Sequence, residues 1–274
     1  MHSSKTKPGA KSLVRQLRRV AIAGGALLAL AAILFFPPVD RVLGGIFANS
    51  ADGRAVAGYP DRLRQRLVKH HWGYVHYRHM PTCLKQAIVS VEDKRFWFHG
   101  GVDPLALLRV SVDTAWNDRV DHGGSTITLQ LARMILRVPR RQPSLLAEVE
   151  SEFRIVRGAL IVEHDFSKKK ILELYLNSIY LGRGATGVKT AAKAYFGATL
   201  QQLSEAQCIY IAGLTNAPAR FGADPSGQQA MDRYRHVIAT MERNGYLTGK
   251  QAAALDDERL SFAPRRMASG FGQT

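Results

Sequence analysis

The chain has 274 residues, 46% of them hydrophobic, which is enough for one sizeable core with an appendage and too many for a disordered chain. Its formal net charge of +16 calls for an anionic partner, whether nucleic acid, an anionic membrane surface or a phosphate-bearing substrate. Two cysteines, Cys83 and Cys208, without CxxC or His/Cys spacing, signal neither a disulfide framework nor a structural zinc site; a single bridge between them stays open.

Residues 1–19 form a basic tail with Lys5, Lys7, Lys11, Arg15, Arg18 and Arg19 and no acid. Val20 to Phe36 then runs 17 residues without a charge up to Pro37-Pro38, so residues 20–39 read as a transmembrane anchor. A cleaved signal peptide is the alternative, but Phe-Pro-Pro follows where a small-x-small cleavage site belongs. The cationic flank sets the N-terminus in the cytoplasm and everything after Asp40 outside it. Nucleic acid then drops out as a partner, and the basic surface is matched to anionic lipid heads or a lipid-linked phosphate. Residues 40–70, broken by Gly44-Gly45 and Gly53, read as a juxtamembrane connector leading into a short helix around Asp61 to Val68. Lys69 to Pro81 alternates and is rich in aromatics, which predicts an edge strand stopped by Pro81. Its histidines, His70, His71, His76 and His79, have no carboxylate or cysteine at ligand spacing and read as solvated, so no metal is assigned to them.

Leu84, Ala87, Ile88 and Val91 recur at i, i+3, i+4 and i+7, which predicts a helix that buries one face and ends at Glu92-Asp93. Two readings of that pair are open. It is either a solvated helix end, or a general base whose pKa is raised toward neutrality by the like charge of Asp93 and the aromatic walls of Phe96, Trp97 and Phe98. Pro104 to Trp116 then carries Leu105, Leu108, Val112, Ala115 and Trp116 on one helical face. Next, His122-Gly123-Gly124-Ser125-Thr126-Ile127-Thr128 opens a helix marked by Ile127, Leu131 and Ile135. Free N–H groups at such a start, with the hydroxyls and Arg133 beyond, suit a phosphate; ordinary capping by Ser125 or Thr126 explains the same residues.

Taken in order, Glu92, Asp93, Phe96, His99, Gly101 and Asp103 followed by GGSTIT at Gly123 to Thr128 resemble the glycosyltransferase domain of the peptidoglycan polymerases. Ile171 to Gly182, Gly187, Ala191-Ala192, Tyr195-Phe196-Gly197, Leu203, Glu205-Ala206 and Leu214 to Pro218 look like that family's later motifs, and Arg233 to Leu247 like its closing helix. The resemblance implies a mainly α, lysozyme-like domain over residues 71–256 with a small membrane-associated lobe, followed by a polar tail over 257–274. It also implies polymerisation of lipid II into glycan strands with loss of undecaprenyl pyrophosphate. Glu92 is then the base for the attacking sugar hydroxyl, with Asp93, Phe96 and His99 orienting it. Gly124, Ser125, Thr126, Gln130 and Arg133 contact the donor and its pyrophosphate, and Asn177 supports the site. The implied partners are lipid II, the nascent glycan strand, membrane lipids and cell-wall synthesis proteins. The implied location is the inner membrane, single-pass, with the domain in the periplasm. No cofactor is assigned, and a divalent cation (Mg or Mn) stays open.

One motif departs from the family. Counted back from Ala159 and Glu163, its Arg-Lys-x-x-Glu falls on Ser151-Glu152 and Ile155, inside a helix predicted from Leu146 to Val162. Arg154 and Arg157, within a turn of the missing lysine, are expected to supply charge in its place. A catalytically weak or inactive family member that binds lipid II or glycan as a scaffold, and a lysozyme-like hydrolase, are the alternative functions. Ser167-Lys168-Lys169-Lys170 and Ser4-Lys5-Thr6-Lys7 match the SxxK of transpeptidases, but no SxN or KTG partner follows, and Ser167 sits where a helix cap belongs.

Overall fold

A computed structural model describes residues 39–106, 125–139 and 141–264. The predicted transmembrane segment, the C-terminal tail beyond 264, Gly123-Gly124 and most of the helix expected from Pro104 to Trp116 lie outside those residues. Among the described residues, no helix is long and apolar enough to cross a membrane.

Twelve helices follow one another among the described residues. Helices α1 (Val39–Ala48), α2 (Ala51–Ala57) and α3 (Tyr59–Lys69) lead into α4 (Thr82–Glu92). Helices α5 (Ile127–Ile135), α6 (Leu145–Asp165) and α7 (Lys168–Ser178) form the middle of the chain. Helices α8 (Val188–Phe196), α9 (Glu205–Gly213), α10 (Pro218–Ala223), α11 (Gln228–Arg243) and α12 (Gly249–Asp257) close it. The starts are written in side chains: Ser50, Thr126, Ser144, Ser167, Ser204 and Thr248 each accept from an amide three residues on, satisfying a donor that the helix cannot. Ser167 is thus a cap, as its place in the sequence suggested.

Two groups of packing make the core. Helix α4 lies against α9 and α11, and α5 lies against α6 and α7, while α1 and α2 run along α6. Leu84, Ala87 and Ile88 of α4 are fully buried as their spacing predicted, in one cluster with Ile209, Ile211, Val237 and Met241, while Val91 of the same predicted face is only half-buried. Cys83 and Cys208, with Cα atoms 5.9 Å apart, are joined in a disulfide that ties the first turn of α4 to α9.

The edge strand expected from Lys69 to Pro81 does not form; residues 72–76 are irregular and Tyr77–His79 is a 3-10 turn. The alternation is real, but a different partner takes the backbone. The Val75 amide donates to Asn177 Oδ1 at 2.9 Å and Asn177 Nδ2 donates to the Val75 carbonyl at 2.8 Å, so a side chain of α7 replaces a neighbouring strand. Glu173 accepts from the Tyr77 amide at 2.7 Å and continues the same clasp. Among the described residues, the β pairing is an isolated bridge between Tyr180 and Thr186. Residues 40–70, read as a connector, contain α1 to α3, and Asp52 of α2 is buried against Arg154 and Arg157 of α6.

Candidate active site

Helix α4 delivers Glu92 at its last turn, and the chain leaves the helix at Asp93, whose φ of −162° is extended. That change of direction sends the two adjacent carboxylates to different partners. Asp93 is buried: His99 Nε2 approaches its two oxygens at 2.9 and 3.0 Å, and the Ile127 amide donates to Oδ2 at 3.1 Å. The Gly101 amide donates to His99 Nδ1 at 3.2 Å, so it is Nε2 that carries the hydrogen facing Asp93. Ile127 is the first residue of α5, and its amide is one that the helix leaves free. The anion held at this helix start is therefore the protein's own carboxylate. Thr126 takes a second amide, accepting from Leu129 at 3.1 Å while its hydroxyl donates to the Gly101 carbonyl at 2.5 Å. Of the two capping candidates, Thr126 is the cap and Ser125 is exposed.

Gly101 has φ of +93°, and a Cβ there would stand 3.0 Å from Glu163 Cγ and 3.3 Å from the Ala159 carbonyl. Both the conformation and the close approach of α6 require glycine. Beyond it, Arg95 grips Asp103 through Nε and Nη2 at 2.6 to 2.9 Å. Burial alone pushes the Asp103 carboxyl up, but the Arg95 guanidinium and the Ala106 amide outweigh it and hold it below the ordinary range. Asp93, His99 and Asp103 bring ligand-type atoms within 4.8 Å of one another. An ion among them would have to displace Arg95 from Asp103 and part His99 from Asp93. Phe96 is fully buried beside His99, with Lys168 Nζ 4.6 Å above its ring. It shapes the turn from beneath rather than lining an open surface.

Glu92 itself is half-buried and faces different groups. Gln130 Nε2 of α5 donates to its Oε2 at 2.7 Å, and the Thr215 hydroxyl, just past α9, donates to Oε1. Tyr175 of α7 donates to Gln130 Oε1 at 2.9 Å and so fixes which end of the amide faces the carboxylate. Arg233 of α11 donates Nε to the Gly213 carbonyl at 3.3 Å. Burial lowers the Arg233 pKa, and the Glu92 charge opposes that shift. Among the described residues, then, Glu92 is bonded by two uncharged donors and feels a half-buried cation without touching it. Two residues earlier, Asn244 Nδ2 holds the Ser90 carbonyl and hydroxyl at 3.1 and 2.9 Å, which fixes the end of α4.

This constellation can be placed among known proteins. The family model described as Transglycosylase matches residues 61–242. The chain belongs to that family, as a transglycosylase domain of the penicillin-binding-protein type. It is 38% identical over 178 residues to penicillin-binding protein 1A of Aquifex aeolicus, covering 65% of this chain and 24% of that one. It is 34% identical over 230 residues to a Cupriavidus necator protein named as a candidate transglycosylase, covering 84% of this chain and 88% of that one. A crystal structure of penicillin-binding protein 1A from Haemophilus influenzae aligns with a TM-score of 0.41 and 20% identity over 70% of this chain and 18% of that chain. This chain thus spans about a quarter of the penicillin-binding protein 1A of Aquifex aeolicus.

In this chain the third-motif helix is where the sequence departs, and the geometry of α6 shows the result. Ile155 is buried in the core, 2% exposed. Glu152, at the place of the motif lysine, is exposed and accepts from Arg133 Nη2 at 2.6 Å. Arg154 and Arg157, expected to make up the lost charge, both turn to Asp52 of α2, at 2.9 and 2.5 Å. Arg154 is therefore not brought together with Glu92. Asn177 is likewise bonded to the 75–77 segment and to the Glu173 carbonyl. Sequence reasoning placed Gln130 at the donor and set Asp93 and His99 to orient Glu92, whereas the structure bonds Gln130 to Glu92 and His99 to Asp93. That reasoning missed Thr215, Tyr175 and Arg233, which reach the site from elements more than 80 residues along the chain. The family motif around Leu214 to Pro218 pointed to the segment of Thr215 but not to its partner.

Proposed function

We propose that this domain polymerises lipid II into peptidoglycan glycan strands with release of undecaprenyl pyrophosphate, and that Glu92 is its general base. The observation that carries the reading is Glu92 at the end of α4, with both oxygens held by Gln130 and Thr215 and no described cation bonded to it. A base of this kind needs a fixed direction and an unneutralised charge, because it must meet the acceptor's 4-hydroxyl within hydrogen-bond reach. The hydroxyl oxygen then forms a bond to the donor's anomeric carbon while the pyrophosphate leaves with its bonding pair, and the hydroxyl proton passes to Glu92.

Asp93 is assigned to orientation, since His99 and the Ile127 amide hold it. Ser125, Gly124 and Arg133 are assigned to the donor and its pyrophosphate, with the Arg133 charge shared with Glu152. Thr126 supports the site from behind, and no step is assigned to Asn177, which holds Val75, or to Arg154. The lysozyme-like lobe, the anchor at residues 20–39, the periplasmic placement of the domain and contact with membrane lipids belong to the same reading, which the basic, uncharged-then-Pro-Pro N-terminal sequence supports.

Purified full-length protein incubated with labelled lipid II in detergent is the test. Polymer is the expected product. Tight binding of lipid II with no product would favour a scaffold, a reading to which buried Ile155 and the Glu152–Arg133 pair lend weight. Release of reducing ends from finished peptidoglycan would instead mark a hydrolase.

A further inference from the structure

Among the described partners of Glu92, its protonated carboxyl finds an acceptor only if one neighbour changes role. The Tyr175 hydroxyl fixes the Gln130 amide, so Nε2 faces Glu92 Oε2 at 2.7 Å. An amide nitrogen gives hydrogens and accepts none, so Oε2 is bound as an acceptor. Oε1 meets the Thr215 hydroxyl, which also stands 2.9 Å from the Ala212 carbonyl. One hydroxyl hydrogen serves one acceptor at a time, so Thr215 either donates to Oε1 or, when Oε1 carries a proton, accepts from it and donates to the Ala212 carbonyl. The neighbouring helix-end carbonyls are already taken, Ile211 by the Leu214 amide and Gly213 by Arg233 Nε, which leaves the Ala212 carbonyl to Thr215.

We propose that Thr215 is the positioning residue that lets Glu92 take up a proton during the reaction without losing a hydrogen bond. With Glu92 ionised, Thr215 donates to Oε1. When the attacking hydroxyl's O–H bond breaks and its hydrogen forms a new O–H bond at Oε1, the acid donates to Thr215 Oγ1. The Thr215 hydrogen turns to the Ala212 carbonyl. On release of the proton to water the rotor turns back. The other polar groups of the site cannot take this part: Gln130 is fixed by Tyr175, Arg233 only donates, Arg133 is paired with Glu152, and Asp93 is engaged by His99 and Ile127. Thr215 does the positioning while Glu92 does the chemistry, and the inference rests on the reading of Glu92 as the base.

Steady-state polymerisation of lipid II by the full-length wild type, Thr215→Val, Thr215→Ala and Thr215→Ser in one detergent tests it. Thr215→Val loses a hydrogen bond to a charged group at constant shape, so kcat is expected to fall about ten- to a hundredfold with KM nearly unchanged. Thr215→Ser, which keeps the hydroxyl, is expected to stay within about threefold of wild type on the same reasoning. Thr215→Ala is expected to match the valine variant and stands in for it should valine fail to fold. A valine or alanine variant as fast as wild type, or a serine variant as slow as the valine one, overturns the role of Thr215 and leaves Glu92 as the base. A well-folded wild type that makes no polymer defeats the reading of Glu92 and this inference with it.

Discussion

Glu92 and Asp93 are neighbours in the chain and do different work. The turn at Asp93 sends one carboxylate into a strut with His99 and the first amide of α5, and leaves the other facing Gln130 and Thr215. The sequence showed the pair and suggested that one charge acts on the other; the structure shows each with its own donors. Gln130 and Thr215 each hold one oxygen of Glu92, and the direction of Gln130 in turn depends on Tyr175. Gln130→Leu removes the donor outright and is expected to lower kcat about tenfold or more. Tyr175→Phe only frees the amide to turn and is expected to cost less, about two- to fivefold. Equal losses in both variants, measured as initial rates of polymer formation, would show that the Tyr175 bond carries the whole effect. No loss in either would show that neither residue orients the base.

At the scale of elements, the helices were legible wherever their partners were local. The α4 spacing of Leu84, Ala87 and Ile88, the Thr126 cap and the Ser167 cap could be read from neighbours three or four residues away. Residues 69–81 could not, because what decides their conformation is Asn177, 102 residues on, whose amide satisfies both backbone groups of Val75. The same limit hid Thr215, which lies 123 residues from Glu92. The disulfide is the covalent version of that long-range link. It joins α4 to α9 across 125 residues, and the ends of the same two elements carry Glu92 and Thr215. Loop closure over such a span is worth about 2–5 kcal/mol. Reduction, or the Cys83→Ala/Cys208→Ala double variant, is therefore expected to lower Tm by several degrees, about 5 °C or more. A melting curve unmoved by reductant would show that the bridge adds no constraint.

For the molecule as a whole, the long helix α6 is where family and chain part. Its motif positions have become the core residue Ile155 and the surface residue Glu152, and its arginines serve the packing of α2 through Asp52. Charges once expected at the substrate thus hold the fold, and that sets the response to acid. Burial pushes the carboxyls of Asp52, Asp103 and Glu173 up, but Arg154 and Arg157, Arg95, and Lys170 with Tyr74 and the Tyr77 amide leave all three lowered. A lowered carboxylate stabilises the folded state above its ordinary pKa and loses that contribution as pH falls through its folded value. His236, lowered by burial and then by Arg233 and Arg243, acts in the same direction, its loss beginning near its ordinary 6.5. Tm is expected to fall in two stages on acidification, a small one below 6.5 and a steep one below the ordinary carboxylate values of 3.8 and 4.5. A flat profile down to the lower range would contradict this account of the ion pairs. The central claim, that Glu92 acts as the base although Ile155 stands where a second acid is usual, is tested most directly by the initial rate of lipid II polymerisation in Glu92→Gln. The variant keeps the shape and the contact with Thr215, so it is expected to fold and melt as wild type while its rate drops about a thousandfold or more; a well-folded Glu92→Gln that polymerises within about tenfold of wild type would contradict the claim.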